Sequence, residues 1–474
     1  MTTRTSIHRE MTRLMDEAPL TPVHWKIWWL SAMGIFLDGF DLFIIGVALP
    51  LIMKTFPTSP YIVGLIGAAA VLGAVVGASV GGTLSDRWGR KALYILDLGV
   101  FIVLSVFSAF SWNVVSLIAF RFLLGIGIGA DYPICASYIS AFMPTRSRGR
   151  MLIGAFSFQA LGMAAGAAVG LVILKIFPHF GAWRFMLAFG ALPAIVVILL
   201  RMSVPESARW YLLHGKHTEA AEVIKKLVPS SEGEIHELAA KAHRLPEDEI
   251  LEKPGHSILF SKKYIKRTIL AVVPWFLMDI ITYAVGIFTP IILATMAFSG
   301  SGLSTIAGDF KATEGAMFLD LFLVVGFLIN IMLIDKWGRI KLQLFGFGGM
   351  SLGLLILAAS TVANIGNTGN LILVFAGFII FNVLMNMGPN ATTSILPAEL
   401  YPTNMRGSGH GFAAAVAKLG AAVGIFMLPV VKASVGMTFT LIMLAMLSVL
   451  AFMVTLVFRV ETKNRSLEEL SMML

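Results

Sequence analysis

Leu84–Leu93 reads LSDRWGRKAL, and Leu333–Leu342 reads LIDKWGRIKL. Each decapeptide follows one long apolar run and precedes another, and Asp86 and Asp335 stand 249 positions apart. Two further pairs keep nearly the same offset. Arg146 of PTRSRGR returns 260 residues later as Arg406 of PTNMRGSG, and VPESARW returns about 255 later as VETKNRS. Three pairs at one offset describe a chain of two homologous halves. In membrane proteins such repeats place a binding site near the bilayer midplane, at the seam between the halves.

The surroundings of the repeat are hydrocarbon-like. Of 474 residues 57% are hydrophobic and 13% charged, with a mean hydropathy of +0.84. A soluble domain carries about a quarter charged residues. Apolar stretches long enough to cross a bilayer as helices recur along the chain. Twelve spans are expected, at 27–51, 61–84, 92–110, 113–142, 151–176, 183–202, 267–298, 312–334, 342–361, 371–398, 409–431 and 436–459. The expected fold is an all-α polytopic membrane protein of two six-helix bundles, 25–202 and 266–460, with tails at 1–24 and 461–474. The linker at 203–265 holds charged amphipathic segments that read as short surface helices. Glycine-rich runs such as GLIGAAAVLGAVVGASVGG allow close approach of helix backbones.

Charge decides the orientation. The segments on one side of the spans hold sixteen Lys and Arg, and those on the other hold Lys54, Lys175, Arg184, Lys311 and Lys432. The positive-inside bias makes both termini cytoplasmic. The net charge of +9 is thereby a topology signal and argues against nucleic acid as a partner. Cys135 is the single cysteine, so no internal disulfide forms. The first apolar run is too long for a cleavable signal, and Arg4, Arg9 and Arg13 precede it.

An ionisable side chain at mid-bilayer costs at least a few kcal/mol and needs a reason. Asp38 and Asp131 lie about 11 residues from the cytoplasmic ends of their spans, Asp279 about 12 and Lys418 about 9. At 1.5 Å per residue, four helices bring these groups to a common depth of about 14–18 Å. Asp41 shares a face with Asp38, Tyr132 adjoins Asp131, and Gln159 and Asn390 lie at similar depth. Trp275, Asp279 and Tyr283 form an i, i+4, i+8 stripe. Taken alone, Trp275 reads as packing. Asp97 and Asp320, nearer span ends, read as structural. Arg121 is a poor partner for Asp131, since ten residues separate them by about 15 Å along one helix. Buried carboxylates without a full charge partner bind protons, and Lys418 offers a point charge to a compact anion.

These motifs resemble the major facilitator superfamily over nearly the whole chain, through Gly81, Asp86, Arg87, Gly89 and Arg90 and through Asp335, Gly338 and Arg339. PESARWYLL and PAELYPTNMRGSG are similar to the sugar-porter-like branch. GIGIGADYPICASYIS, DGFDLF, FLMDIITY, GPNATT and AAAVAKLGA resemble the phosphate:proton symporters. That resemblance implies a phosphate site at Tyr132, Gln159, Trp275, Asp279, Tyr283, Asn390 and Lys418, and proton-pathway acids at Asp38, Asp41 and Asp131. It implies a gating and structural set of Asp86, Arg87, Arg90, Arg146, Arg150, Glu206, Arg209, Asp335, Arg339, Glu399, Arg406 and Glu461. One position departs. Ser140-Ala141 stands where the family has a glutamate after the serine, whereas the second half keeps Glu399. A full charge network is therefore expected in one half only.

The expected function is proton-coupled symport of inorganic phosphate in a plasma membrane, or the inner membrane of a prokaryote, by a monomer with the proton as coupling ion and no cofactor or metal. An aromatic or other organic anion is the alternative cargo, since LDGFDLF also resembles metabolite:proton symporters. A sugar fits less well, because a carboxylate occupies the span where sugar porters carry paired glutamines. A non-transporting sensor would not need two gate motifs. No HExxH, GxSxG or Cys/His metal spacing suggests an enzyme.

Overall fold

The computed structural model describes residues 4–243, 256–296, 305–363, 366–401 and 406–463, and the regular structure there is helical throughout. The first half comprises α1 (Arg4–Asp16), α2 (Pro22–Thr55), α3 (Pro60–Trp88), α4 (Arg90–Ala109), α5 (Val114–Phe142), α6 (Thr145–Phe156), α7 (Phe158–Ile176), α8 (Ala182–Phe189) and α9 (Ala191–Arg201). Three short helices follow in the linker: α10 (Ala208–Leu213), α11 (His217–Leu227) and α12 (Glu232–His243). The second half comprises α13 (Ile265–Met296), α14 (Thr305–Trp337), α15 (Arg339–Val362), α16 (Gly366–Met387), α17 (Pro389–Leu400) and α18 (Arg406–Phe458).

Eleven helical segments among the described residues are long and apolar enough to cross a membrane. The last, Gly409–Phe458, contains two of the twelve expected spans, because Gly436 at φ 81° and ψ 170° breaks the 53-residue α18. Other spans are interrupted within the membrane region. The tenth breaks at Gly388, whose φ and ψ are −117° and −99°. Pro389 follows and offers no N–H to the preceding turn. Helix starts are capped locally: Asn113 Oδ1 accepts from Ser116 N at 2.8 Å, and Ser116 Oγ accepts from Asn113 N at 3.2 Å, a reciprocal capping box.

The repeat seen in sequence is a repeat in backbone geometry. Gly89 (φ 96°) and Gly338 (φ 87°) occupy the same position in the two decapeptides, each the last residue before a helix. Positive φ favours glycine there, and a Cβ on either would stand 2.6 Å from a carboxylate oxygen, of Glu206 or of Glu461 respectively. Those two glutamates cap the helices that follow. Glu206 Oε2 accepts from Lys91 N at 2.8 Å, and Glu461 accepts from Arg339 N at 3.0 Å and from Ile340 N at 3.1 Å. The side chain of Asp86, the acid of the first decapeptide itself, lies outside the described residues. The acids seen at these helix N-termini come instead from the segments after the sixth and twelfth spans, where the helix dipole favours negative charge.

Within the first half α2 packs on α7 and α3 on α5, and within the second α13 packs on α18 and α15 on α16. The halves meet through α3 with α18, α7 with α14 and α2 with α13. At the end of the bundle away from α1 they approach backbone to backbone. A Cβ on Gly46 would lie 2.3 Å from the Ile287 carbonyl oxygen, and one on Gly64 would lie 2.4 Å from that of Phe426. At the end that carries α1, Ile153 packs across the seam against the cluster of Ile334, Leu342 and Met387.

The N-terminal segment is more than a polar tail. Ile7, Met11 and Met15 repeat at four-residue spacing and are at most 1% exposed, in a cluster with Ile224, Ile235 and Ala239 of the linker helices. Asp16, at the end of α1, accepts from Arg148 Nη2 at 2.5 Å and from Arg209 Nη2 at 2.7 Å.

Candidate functional site

A cavity of about 890 Å³, including space open to solvent, lies at the seam. Its wall is assembled from both halves: Gln159 and Met163 of α7, Trp275, Asp279 and Tyr283 of α13, Asp320 of α14, Asn382 and Asn386 of α16, Asn390 of α17 and Lys418 of α18. Six of the seven residues expected to hold an anion therefore face one space. The seventh, Tyr132, has its side chain outside the described residues.

Lys418 organises this wall. Its ammonium donates to Tyr283 Oη at 2.5 Å, and Gln159 Nε2 donates to the same hydroxyl at 3.4 Å. A hydrogen-bonded chain thus crosses the seam from α18 to α13 to α7. Lys418 Nζ lies 4.0 Å from Asp279 Oδ2, a contact that leaves this oxygen without a hydrogen bond among the described residues. Asp279 is 2% exposed. Trp275, one turn away, is 4% exposed and meets the His410 ring edge to face at 5.7 Å.

The acids of the first half are arranged differently and do not line the cavity. Asp41 Oδ1 accepts from Arg121 Nη1 at 2.7 Å. Asp131 is held in bidentate fashion by Arg201, at 2.9 and 3.2 Å, and accepts from Cys135 Sγ at 3.2 Å. Arg201, which is fully buried, also lies 3.4 Å from Asp97 and stacks over the Tyr94 ring at 3.5 Å. Their depth in the spans leads to the expectation of acids without full charge partners. Two of them have arginine partners, drawn from other helices. Asp38 is 5% exposed and makes no ion pair among the described residues. Asp97, expected to be structural, accepts from its neighbour Leu98 N at 2.6 Å and shares Arg201.

The expected span at 312–334 sets Asp320 nearer a span end, in a structural place. Its helix starts at Thr305 rather than near 312, which makes Asp320 the 16th of 33 residues. It faces the cavity and makes no hydrogen bond or ion pair among the described residues, with Oδ2 buried and unsatisfied. Two more polar lining residues were also missed. Asn382, Asn386 and Asn390 follow one another at four-residue intervals: Asn386 Nδ2 donates to Asn382 O at 3.1 Å, and Asn390 Nδ2 donates to Asn386 Oδ1 at 2.6 Å. The N-x-x-x-N-x-x-x-N spacing was the signal available in the sequence.

At the α1 end, the second half closes its network with Arg339, whose guanidinium donates to Glu399 at 2.8 and 3.2 Å. Arg339 also lies 3.7 Å from Asp335. Arg150 reaches across the seam to Asp335 at 4.0 Å, with both side chains more than half exposed. In the first half, Arg90 opens α4 and Arg146 lies exposed in the first turn of α6. Ala141 offers no acid, and Asp16 engages Arg148 and Arg209 there instead. The side chains of Asp86, Arg87 and Arg406 lie outside the described residues.

Comparison with known proteins adds the family. Residues 28–474 match the family described as "Sugar (and other) transporter". "Probable inorganic phosphate transporter 1-10" of Oryza sativa subsp. japonica is 32% identical, over 96% of this chain and 91% of its own. "Inner membrane metabolite transport protein YgcS" of Escherichia coli is also 32% identical, over 95% and 94%. Among solved structures, the inward-open xylose transporter XylE from E. coli superposes with a TM-score of 0.75 at 20% identity, covering 95% of this chain and 99% of that one, a likeness of fold.

Proposed function

The chain belongs to the sugar (and other) transporter family and is a secondary transporter of the major facilitator type, not an enzyme; on that premise we propose that it moves inorganic phosphate together with protons, by rocking of its two halves around the central cavity. The observation that carries this reading is the chain Lys418–Tyr283–Gln159 beside Asp279. An ammonium and a hydroxyl directed at one space bind an anion's oxygens. A protonated phosphate returns a hydrogen bond to Asp279, which a fully deprotonated anion does not. Because the chain of bonds spans the seam, an anion bound there contacts both halves and favours states in which they close around it. Relatives named as phosphate transporters support the cargo.

Asp38 and Asp279 are the acids on which we place proton binding, since arginine already neutralises Asp41 and Asp131. The basic side of the spans is placed in the cytoplasm of a plasma or inner membrane.

A second cargo is favoured by one specific feature. The cavity wall also carries the Asn382–Asn386–Asn390 row, which suits an organic anion with further polar groups. Uptake into proteoliposomes under an inward pH gradient tests the two. Labelled phosphate is offered against sulfate, sugars and aromatic acids, and saturable phosphate uptake is expected. Organic-acid uptake without phosphate uptake overturns the phosphate reading.

A further inference from the structure

The lining residue that this account leaves without a task is Asp320. It is 3% exposed, at the middle of α14, and it faces the same cavity as Asp279 and Lys418. Its neighbours show what a structural polar group does in this wall. Asn382 Nδ2 donates to Leu319 O at 3.0 Å and Asn330 Nδ2 donates to Met387 O at 2.6 Å, so both tie α14 to α16. Asp320 ties nothing among the described residues, and a buried carboxylate left bare is costly. The group that satisfies it must then be something that enters the cavity.

The charged groups around it narrow what that is. α13 brings Asp279 and the hydroxyl of Tyr283, and Lys418 of α18 stands across the cavity, already bonded to Tyr283. α2 brings Asp38 and Asp41, the latter paired with Arg121. α16 carries no titratable side chain, and those of α7 and α15 sit near the helix ends, at Lys175, Arg339 and Lys341. The lining charges are therefore one ammonium against two carboxylates, a net of −1 before any cargo arrives. A monovalent anion makes it −2. Protons on both carboxylates bring it back to zero, and an apolar wall favours that neutral state.

We propose that Asp320 is a proton-carrying carboxylate of the cargo cavity, supplied by the second half and loaded together with the anion. The proton comes from water on the side from which the anion enters and leaves to water on the other, so each anion moves with one proton on Asp320 besides that on Asp279. This assignment rests on the proton-coupled reading above.

The test uses the full chain in proteoliposomes, with phosphate as the probe. Counterflow at equal pH on both sides reads binding and rocking without net proton movement, and accumulation under an inward pH gradient reads coupling. Asp320→Asn is expected to cut accumulation about tenfold or more, well beyond its effect on counterflow, the scale set by the cost of charge at mid-bilayer. Asp320→Glu is expected to restore accumulation. Unchanged accumulation by Asp320→Asn overturns the proposal alone, as does equal loss of counterflow and accumulation in a variant that still folds. Wild type that exchanges phosphate but ignores the pH gradient overturns the coupled reading and this proposal with it.

Discussion

The two halves share a fold but, Asp38 apart, treat their buried acids differently. In the first half, Arg121 lies 2.7 Å from Asp41 and Arg201 lies 2.9 Å from Asp131, all four side chains 5% exposed or less. In the second, Asp279 and Lys418 are 4.0 Å apart and Asp320 has no cation among the described residues. A saturated buried pair is a fixed strut, because removing one partner leaves a charge that the interior does not solvate. A loose pair with a bare acid beside it is chemistry waiting for a ligand. With Asp38 set aside for the proton, the first half reads as frame and the second as binding surface, and Gln159 is the described polar group by which the frame enters the cavity.

Substitutions break this contrast in order of size. Arg201→Met strands Asp131 and Asp97 together and is expected to destabilise the fold by about 3–5 kcal/mol, read as a lowered thermal midpoint in detergent. A midpoint equal to wild type removes the strut. Asp279→Asn is expected to leave that midpoint in place and to cut coupled uptake about a hundredfold, since it changes the binding surface and not the frame. Normal transport by this variant returns Asp279 to a packing role.

The ends of the halves differ as well, and there the effects are smaller. Glu399 of the second half grips Arg339 from within the bundle. Ala141 of the first half has no acid, and Asp16 reaches in from α1 to Arg148 and Arg209. About a quarter of the Asp16 side chain is exposed, so Asp16→Asn is expected to cost only about 1 kcal/mol. Amide exchange in α1 reports this as protection reduced about fivefold. Unaltered protection means that Ile7, Met11 and Met15 hold the helix by themselves. Smallest of all, Arg150→Ala is expected to change neither stability nor uptake measurably, because its 4.0 Å pair with Asp335 is open to solvent.

What the sequence displayed and what it hid follow from distance along the chain. The repeat was legible because a turn that needs positive φ keeps its glycine in both copies, at Gly89 and Gly338. Trp275, Asp279 and Tyr283 were legible because helical spacing puts them on one stripe. The arginine partners were not, since Asp131 meets Arg201 across 70 residues and Asp41 meets Arg121 across 80. Spacing within one helix says nothing about such pairs. Asp320 was misplaced because Asp309, Lys311 and Glu314 lower the hydropathy of the first turns of its helix. The backbone starts it seven residues earlier, through Thr305–Lys311. The α1 helix was masked by its charged residues, which cover an apolar stripe only three residues long.

The central claim, that anion and proton travel together, is tested most directly by recording both in the same vesicles. Proteoliposomes carrying a pH-sensitive dye inside receive labelled phosphate at an acidic exterior. Internal acidification is expected to begin with phosphate addition, to saturate with it and to be lost in Asp279→Asn. Phosphate entry with no change in internal pH contradicts it.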